Sequence, residues 1–388
     1  MQVSKDANIL ILSHFYKRTT TGGGPPQEIR DFFKPKVKRI YYIEHPFPKA
    51  DDRRSSLAIY EKGVLKKQIF APPLFGPQAL FYIIDIFITW YFVITVGKKF
   101  DLCVALDNLN TVSMLPFKNI GVVKKLAFYT IDYTPLRFKN EILNNMYHFF
   151  DRLACYHTDV IWNLSGRMKD ARKKNGVDMK KSAPSVLLPM GANLARIKIL
   201  PIEKIHRFDI IFVGYLLEKQ GVQLVLKSLK NVITKVPRTR FIIIGQGEYE
   251  SKLKELTKSL DLEQYVTFKG FIKNYTDVEN ITRKAAIAIA PYPPVADNFS
   301  FYADPGKVKL YLGCGLPIVI TDVPAIARVI KRKKAGIVTS YTTEGITKAL
   351  ILLLTNDTIY KEYRNNAIEL SKDYDTNSLI SKALEQTN

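Results

Sequence analysis

Residues 301–324 read FYADPGKVKLYLGCGLPIVITDVP. Asp304 carries the short acceptor side chain that suits a helix N-cap, and Pro305 suits the first helical position, where a missing N–H costs nothing. The spacing predicts a helix over 305–314, stopped at Gly313-Cys314-Gly315, followed by a buried strand, PIVIT, over 317–321. At such a helix start the amides near Gly306, Lys307 and Val308 have no intrahelical acceptor and the dipole is positive, so Lys307 adds charge where a diphosphate can sit. A well-capped structural helix is the plainer reading. Asn298, Asp304 and Lys307 crowding one loop favour a polar ligand there.

Outward from this stretch the same unit repeats. Apolar runs at 209–214 (DIIFVG), 240–245 (RFIIIG), 265–270 (YVTFKG), 286–291 (AIAIAP) and 335–339 (AGIVT) read as strands, with helical patterns near 221–235, 248–260, 276–284, 323–330 and 343–354 and a polar helical tail from about Asp357. The first half alternates likewise, with strands at 9–12, 39–43, 101–106, 125–130, 159–164 and 185–189. Alternation of this kind implies parallel β-α-β packing. Residues 46–75 are Pro-rich and charged and read as an irregular insertion. Charges and a proline over 194–207 (LARIKILPIEKIHR) place the linker there, giving domains at 1–193 and 194–388, with the terminal helix free to pack back on the first. The fold class is therefore α/β, with two Rossmann-like β/α/β domains facing each other across a cleft, and ligands expected beyond the carboxyl ends of the strands.

Glycines at those strand ends mark further candidate contacts. Gly22-Gly23-Gly24 precedes a helix opened by Pro25-Pro26; Gly214 ends a strand, with Tyr215, Lys219 and Gly221 following; Gly245 and Gly247 flank Gln246 before an acidic helical turn. Each glycine pair alone is weakly specific, since flexible turns and solvated lysines share the pattern.

The chain has 388 residues, of which 47% are hydrophobic and 24% charged, enough for two independent cores and unlike a disordered or multispan membrane chain. Its formal net charge of +22 fits nucleic acid, an anionic membrane surface, phosphorylated ligands or simply a solvated lysine-rich surface. No nucleic-acid recognition module is visible and the lysines are spread along the chain, so no nucleic acid is expected. Cys103, Cys155 and Cys314 stand far apart, without metal spacing, as in a reducing cytoplasm. The start, MQVSKDANILIL, runs into a strand without signal-peptide architecture. Residues 81–97, FYIIDIFITWYFVITVG, are short for a span and contain Asp85. They read as a buried helix, or as one lying in a membrane interface with Tyr82, Trp90 and Tyr91 at headgroup level beside Lys98 and Lys99.

In that order the motifs resemble glycosyltransferase family 4, the group 1 glycosyl transferases of the GT-B fold. The 301–324 segment is similar to the family's donor region with its Ala/Cys-Gly-x-Pro-Val run; VGYLLEKQG (213–221) to Val-Gly-Arg-Leu…Lys-Gly; IIIGQGEYESKLKEL (242–256) to Gly-x-Gly-Pro; Gly22–Gly24 to the N-terminal glycine loop; and LLPMGAN (187–193) to the close of the first domain. The similarity covers most of the chain. There are departures: the family arginine is Tyr215, the family lysine falls on Gln220 beside Lys219, and the paired glutamates fall on Tyr302 and Leu310.

The resemblance implies a hexosyltransferase-type enzyme that moves a sugar from a nucleotide-sugar donor to a glycan or lipid-linked acceptor. It further implies retention of configuration and no metal or other cofactor, in cell-surface polysaccharide or glycoconjugate biosynthesis. The expected location is cytoplasmic, peripheral at the inner membrane face and drawn to anionic lipid. Gly22, Gly23, Gly24, Gly214, Tyr215, Lys219, Gly245, Gly247, Asn298, Asp304, Gly306 and Lys307 are the expected donor contacts. Asp132, just past the strand at 125–130, is assigned to acceptor binding or proton acceptance, against the plainer role of capping the Thr134-Pro135 bend. Asp373 and Asp375 form an Asp-x-Asp in a polar tail and read as surface charge. The five histidines show no nucleophile–base arrangement; His14 follows the first strand, either facing the cleft or in a loop. The alternatives are a noncatalytic homologue acting as a partner subunit, which the departures at Tyr215 and Leu310 would suit, and a sugar-nucleotide epimerase.

Overall fold

The structure is a computed structural model that describes residues 1, 3–15, 24–47, 50–76, 78–295 and 299–387. The chain divides into two compact units, Met1–Pro189 together with the residues from Ile380 on, and Met190–Leu379.

The first unit is built on an eight-stranded sheet. Its strands are β1 (Asn8–Phe15), β2 (Arg39–Pro46), β3 (Arg54–Glu61), β4 (Val64–Pro73), β5 (Leu102–Leu106), β6 (Leu126–Thr130), β7 (Val160–Asn163) and β8 (Ser185–Leu187). They lie in the order β4-β3-β2-β1-β5-β6-β7-β8. All neighbours are parallel except β2–β3 and β3–β4. Residues 46–75 are thus not an irregular insertion: most of them form the hairpin β3–β4. Lys62 (φ 47°) and Gly63 (φ 79°) both turn left-handed at its tip, the twist a two-residue hairpin loop requires.

Five helices, α1 (Pro25–Phe33), α2 (Gln78–Val96), α3 (Asn108–Asn119), α4 (Glu141–His157) and α5 (Gly166–Lys174), connect these strands. Right-handed crossovers put α1, which runs from β1 back to β2, on one face, and α2, α3 and α4, which step the other way, on the opposite face. Trp90 of α2 donates to the Ser113 carbonyl of α3 at 2.8 Å, and Asn108 of α3 donates to the Tyr147 carbonyl of α4 at 3.1 Å, so the three helices lie side by side. Beneath them Leu10, Leu12, Ile43, Phe92, Met114 and Phe117 form one core. At the far end of the sheet Arg172 is buried with Asp151, Asn163 and Thr130 as hydrogen-bond partners. Trp162 donates to Thr387 at 3.1 Å, fixing the C-terminal residues to this unit.

The second unit has six parallel strands, β9 (His206–Val213), β10 (Arg240–Ile244), β11 (Val266–Gly270), β12 (Ala285–Ala290), β13 (Ile318–Thr321) and β14 (Gly336–Thr339), in the order β11-β10-β9-β12-β13-β14. Helices α6 (Val222–Lys235), α7 (Glu250–Ser259), α8 (Tyr275–Thr282), α9 (Gly306–Gly313), α10 (Ile326–Arg332), α11 (Thr343–Thr355) and α12 (Asp357–Lys372) cover both faces, and α13 (Thr376–Glu385) follows. β12 reads AAIAIA and is buried at every position, the pattern of a central parallel strand.

No helix among the described residues is long and apolar enough to cross a membrane. Within α2 the one carboxylate of the apolar run, Asp85, is buried and held by two histidines.

Candidate functional site

In an open α/β sheet a crevice opens where the strand order reverses, because the loops on either side lead away from each other. Each unit has one such point. In the second it lies between β9 and β12, beyond Val213 and Ala290.

Gly214 follows β9 in the left-handed region, at φ 150°. The Lys307 side chain reaches this spot from the first turn of α9. Its Nζ donates to Gln220 Oε1 at 2.5 Å and lies 3.9 Å from the centre of the Phe212 ring and 5.4 Å from that of Tyr292. A Cβ on Gly214 would come within 2.7 Å of that ammonium, so a side chain there would displace the lysine as well as strain the backbone. Burial pushes the Lys307 ammonium down to about 7. Two aromatic faces and one amide oxygen hold this ammonium, and among the described residues no carboxylate pairs with it; it stands in the first turn of α9, where a helix start favours an anion.

Gly245 and Gly247 serve this site indirectly. A Cβ on Gly245 would meet the Gly214 carbonyl oxygen at 1.9 Å, and one on Gly247 the Leu216 carbonyl oxygen at 2.2 Å. Both glycines let two strand-end loops pack backbone on backbone. Gly306 is tight against Met190, and Gly24 caps α1 with an extended backbone. Tyr215 is exposed, and Lys219 lies in the short 3-10 turn Glu218–Gln220. Gly22, Gly23 and Asn298 lie outside the described residues.

Asp304 is not the N-cap of α9; Pro305 occupies that position with no side-chain cap. The Asp304 carboxylate is spent elsewhere. One oxygen accepts the Met190 amide at 3.0 Å, and the other pairs with Lys309, which is fully buried. Leu310 packs in the core, and Tyr302 lies edge-on to Phe301. The structure places Lys307 at the end of the sheet where the sequence put it; Lys309 was not foreseen, and its place inside a helix full of apolar residues was the available signal.

The first unit's reversal lies between β1 and β5. Here two histidines and two carboxylates meet, a cluster that is an ion-pair network and not a nucleophile–base pair. His14 Nδ1 is 2.7 Å from Asp107 Oδ2, and its Nε2 is 3.3 Å from Asp85 Oδ2. His45, its ring tilted beside that of His14 at 5.5 Å, faces Asp85 Oδ1 at 3.2 Å. Burial alone would lower the His14 pKa, but Asp107 and Asp85 outweigh it and raise it to about 10, so His14 is an imidazolium. Burial likewise works against the Asp85 carboxylate, and His45 and His14 hold it at about 2. Asp107 sits at φ 90°, a strained backbone for a non-glycine residue, and its side chain is a third exposed. Asp132 is exposed and ion-paired with Arg137 and makes no hydrogen bond or ion pair with these four groups.

Comparison with known proteins agrees with the motifs. Residues 207–356 match the family described as Glycosyl transferases group 1. An uncharacterized glycosyltransferase of Haemophilus influenzae is 28% identical over 189 residues, covering 47% of this chain and 51% of its own. The putative colanic acid biosynthesis glycosyltransferase WcaL of Escherichia coli is 24% identical over 229 residues, covering 58% and 54%. The chain therefore spans about half the length of these curated relatives. Among solved structures, HepE of Anabaena in complex with UDP superposes with a TM-score of 0.69 at 13% identity, over 98% of this chain and 99% of that one. The fold is that of the GT-B glycosyltransferases.

Proposed function

From a second unit that carries a group 1 glycosyl transferase domain, we propose that this protein is a glycosyltransferase taking its sugar from a nucleotide-sugar donor. The observation that carries the reading is the Lys307 ammonium, seated at the strand-order reversal beside Gly214 and the start of α9. Transfer breaks the bond between the anomeric carbon and the diphosphate, so negative charge grows on the leaving oxygen. A preplaced cation and helix-start amides stabilise that charge without reorganising at the moment of reaction. Lys307 thereby stands in for the arginine and lysine that the family carries at positions 215 and 220; Gln220 remains as the ammonium's hydrogen-bond acceptor.

In this reading the donor is a nucleoside diphosphate sugar, with UDP the first nucleotide to try because HepE binds it. Transfer retains configuration and needs no metal. The acceptor is a glycan or lipid-linked precursor at the inner face of a membrane, in polysaccharide assembly of the kind for which WcaL is named. Asp132 and the reversal around His14 and Asp107 are the acceptor-side candidates.

The test is a thermal-shift screen with UDP-, GDP-, ADP- and dTDP-sugars, with and without EDTA, on the wild type and Lys307→Met. A ligand that binds only the folded state raises the melting temperature by mass action. A selective shift, indifferent to EDTA and lost in the variant, supports the reading. No shift with any donor sinks it and favours a noncatalytic partner subunit.

A further inference from the structure

The layer formed by α2, α3 and α4 has an outer surface unlike that of any ordinary water-facing helix. From Leu80 to Val96 the exposed positions of α2 are Leu80, Ile83, Phe87, Tyr91, Ile94 and Thr95. They recur at three- and four-residue steps, so they form one stripe, and the stripe contains no charge. Ile83 is 54% exposed, Phe87 59% and Ile94 69%, so these are not partly covered core residues. The chain itself provides the contrast. On α12 the exposed positions are Asp357, Thr358, Lys361, Glu362, Asn365, Glu369 and Lys372, all polar. Two helices away from α2, α4 exposes a second apolar stripe through Ile142, Met146 and Phe149.

The asymmetry extends to the whole unit. Of 22 large hydrophobic residues exposed among the described residues, 16 lie before Pro189 and 6 after it. An uncharged apolar stripe running the length of a helix, as on α2, marks a contact surface rather than chance exposure. Its flanks are basic: Lys98 and Lys99 close α2, Lys139 precedes α4, and Lys66 and Lys67 are exposed on the neighbouring edge strand β4. The buried side of α2, by contrast, is fixed to the unit by Asp85 with His14 and His45 and by Trp90 with Ser113, so the stripe cannot roll inward.

We infer that this face, with the α2 stripe at its centre, docks on the surface of an anionic lipid bilayer, the stripe entering the headgroup–acyl boundary and the lysines meeting lipid phosphate. Charge complementarity selects a bilayer over a second copy of the chain: two copies would bring Lys98, Lys99 and Lys139 against their own kind, whereas an anionic leaflet neutralises them. The bound state is interfacial, since no described helix can span. The inference deepens the proposed function by naming the surface from which a lipid-linked acceptor would be met, and it rests on that reading only for the acceptor.

The experiment is flotation of the full chain with vesicles of phosphatidylglycerol and phosphatidylcholine, against vesicles of phosphatidylcholine alone. Wild type is expected to float with the anionic vesicles at low salt, with at least tenfold less bound to the neutral ones. Ile83→Glu/Phe87→Glu/Ile94→Glu, which leaves every buried position untouched, is expected to stay in solution while keeping its melting temperature and nucleotide-induced shift. Lys98→Glu/Lys99→Glu is expected to lose the preference for anionic lipid. Wild type remaining in solution overturns the inference, as does a triple variant that floats as well as wild type. A dimer in light scattering that the triple variant abolishes assigns the face to a second copy instead. The nucleotide-induced shift is read separately, so failure here and failure of the donor reading are told apart.

Discussion

Lys307 makes donor binding and folding respond to pH in opposite directions. A lysine in the open chain titrates at 10.5, and burial holds this one at about 7. Imposing the charged form on the unliganded fold therefore costs at most about 5 kcal/mol, an upper bound because the residue keeps some solvent contact. Between about pH 7 and 10.5 the unfolded chain binds more protons than the folded one, so this penalty is complete below the lower value and fades as pH rises. Lys307→Met removes the penalty, so it should raise the melting temperature at about pH 6.5 and change it little near pH 10. A diphosphate beside the ammonium restores the charged form. Above about pH 7 donor binding must then take up a proton, and affinity should fall about tenfold between pH 6 and 8. The assay is titration calorimetry with the donor found by screening, in two buffers of different ionisation enthalpy, so that proton uptake is read directly. A nucleotide sugar is the right probe because its diphosphate diester keeps a constant charge over this range. Lys307→Met should bind at least about tenfold more weakly at pH 6 and show no proton uptake. A flat wild-type affinity over this range, or an unchanged slope in the variant, would refute the placement of Lys307 at the anion.

The first unit offers a separate check. The His14 pKa is raised from 6.5 to about 10, so its contribution to stability is full below the first value and lost as pH rises through the second; that of Asp85, lowered from 3.8 to about 2, is full above the first and lost as pH falls through the second. His14→Gln should therefore cost about 3–5 kcal/mol in chemical denaturation on the plateau between, and a loss below ~1 kcal/mol would mean the cluster is not a buried ion pair. Gly221 sits at φ 78°, where a Cβ would strike the Pro291 carbonyl oxygen at 1.7 Å. Gly221→Ala should lose more than about 2 kcal/mol and weaken donor binding through the neighbouring Gln220, and a melting temperature equal to wild type would refute that packing. Asp132→Asn should leave the donor-induced thermal shift intact while lowering transfer to acceptor; an equal loss of both would move Asp132 out of the acceptor role.

Apolar runs, helix caps and strand-end glycines were legible along the chain because each depends on neighbours three or four residues away. They gave the parallel strands of both sheets and most helix positions in the second unit. The β3–β4 hairpin was missed although Lys62-Gly63 at its tip carried its signal, because β4 is an exposed edge strand and the prolines and charges around it read as a loop. Asp304 was misplaced as a cap because its partner, Lys309, looked like one more helix residue.

What the sequence determined by itself was local: which segments are strands and helices, that they alternate, and that glycine and lysine crowd the carboxyl ends of the strands. Tertiary structure alone decided which distant groups meet. His14, Asp85 and Asp107 are dispersed along the chain yet lie in hydrogen-bond contact, because the crossover from β4 to β5 carries α2 over β1. The same crossover settles the apolar run of α2: one side anchors Asp85 in the core and the other stands in solvent. Composition cannot distinguish those two sides, because burial is set by what packs against a helix and not by the helix itself.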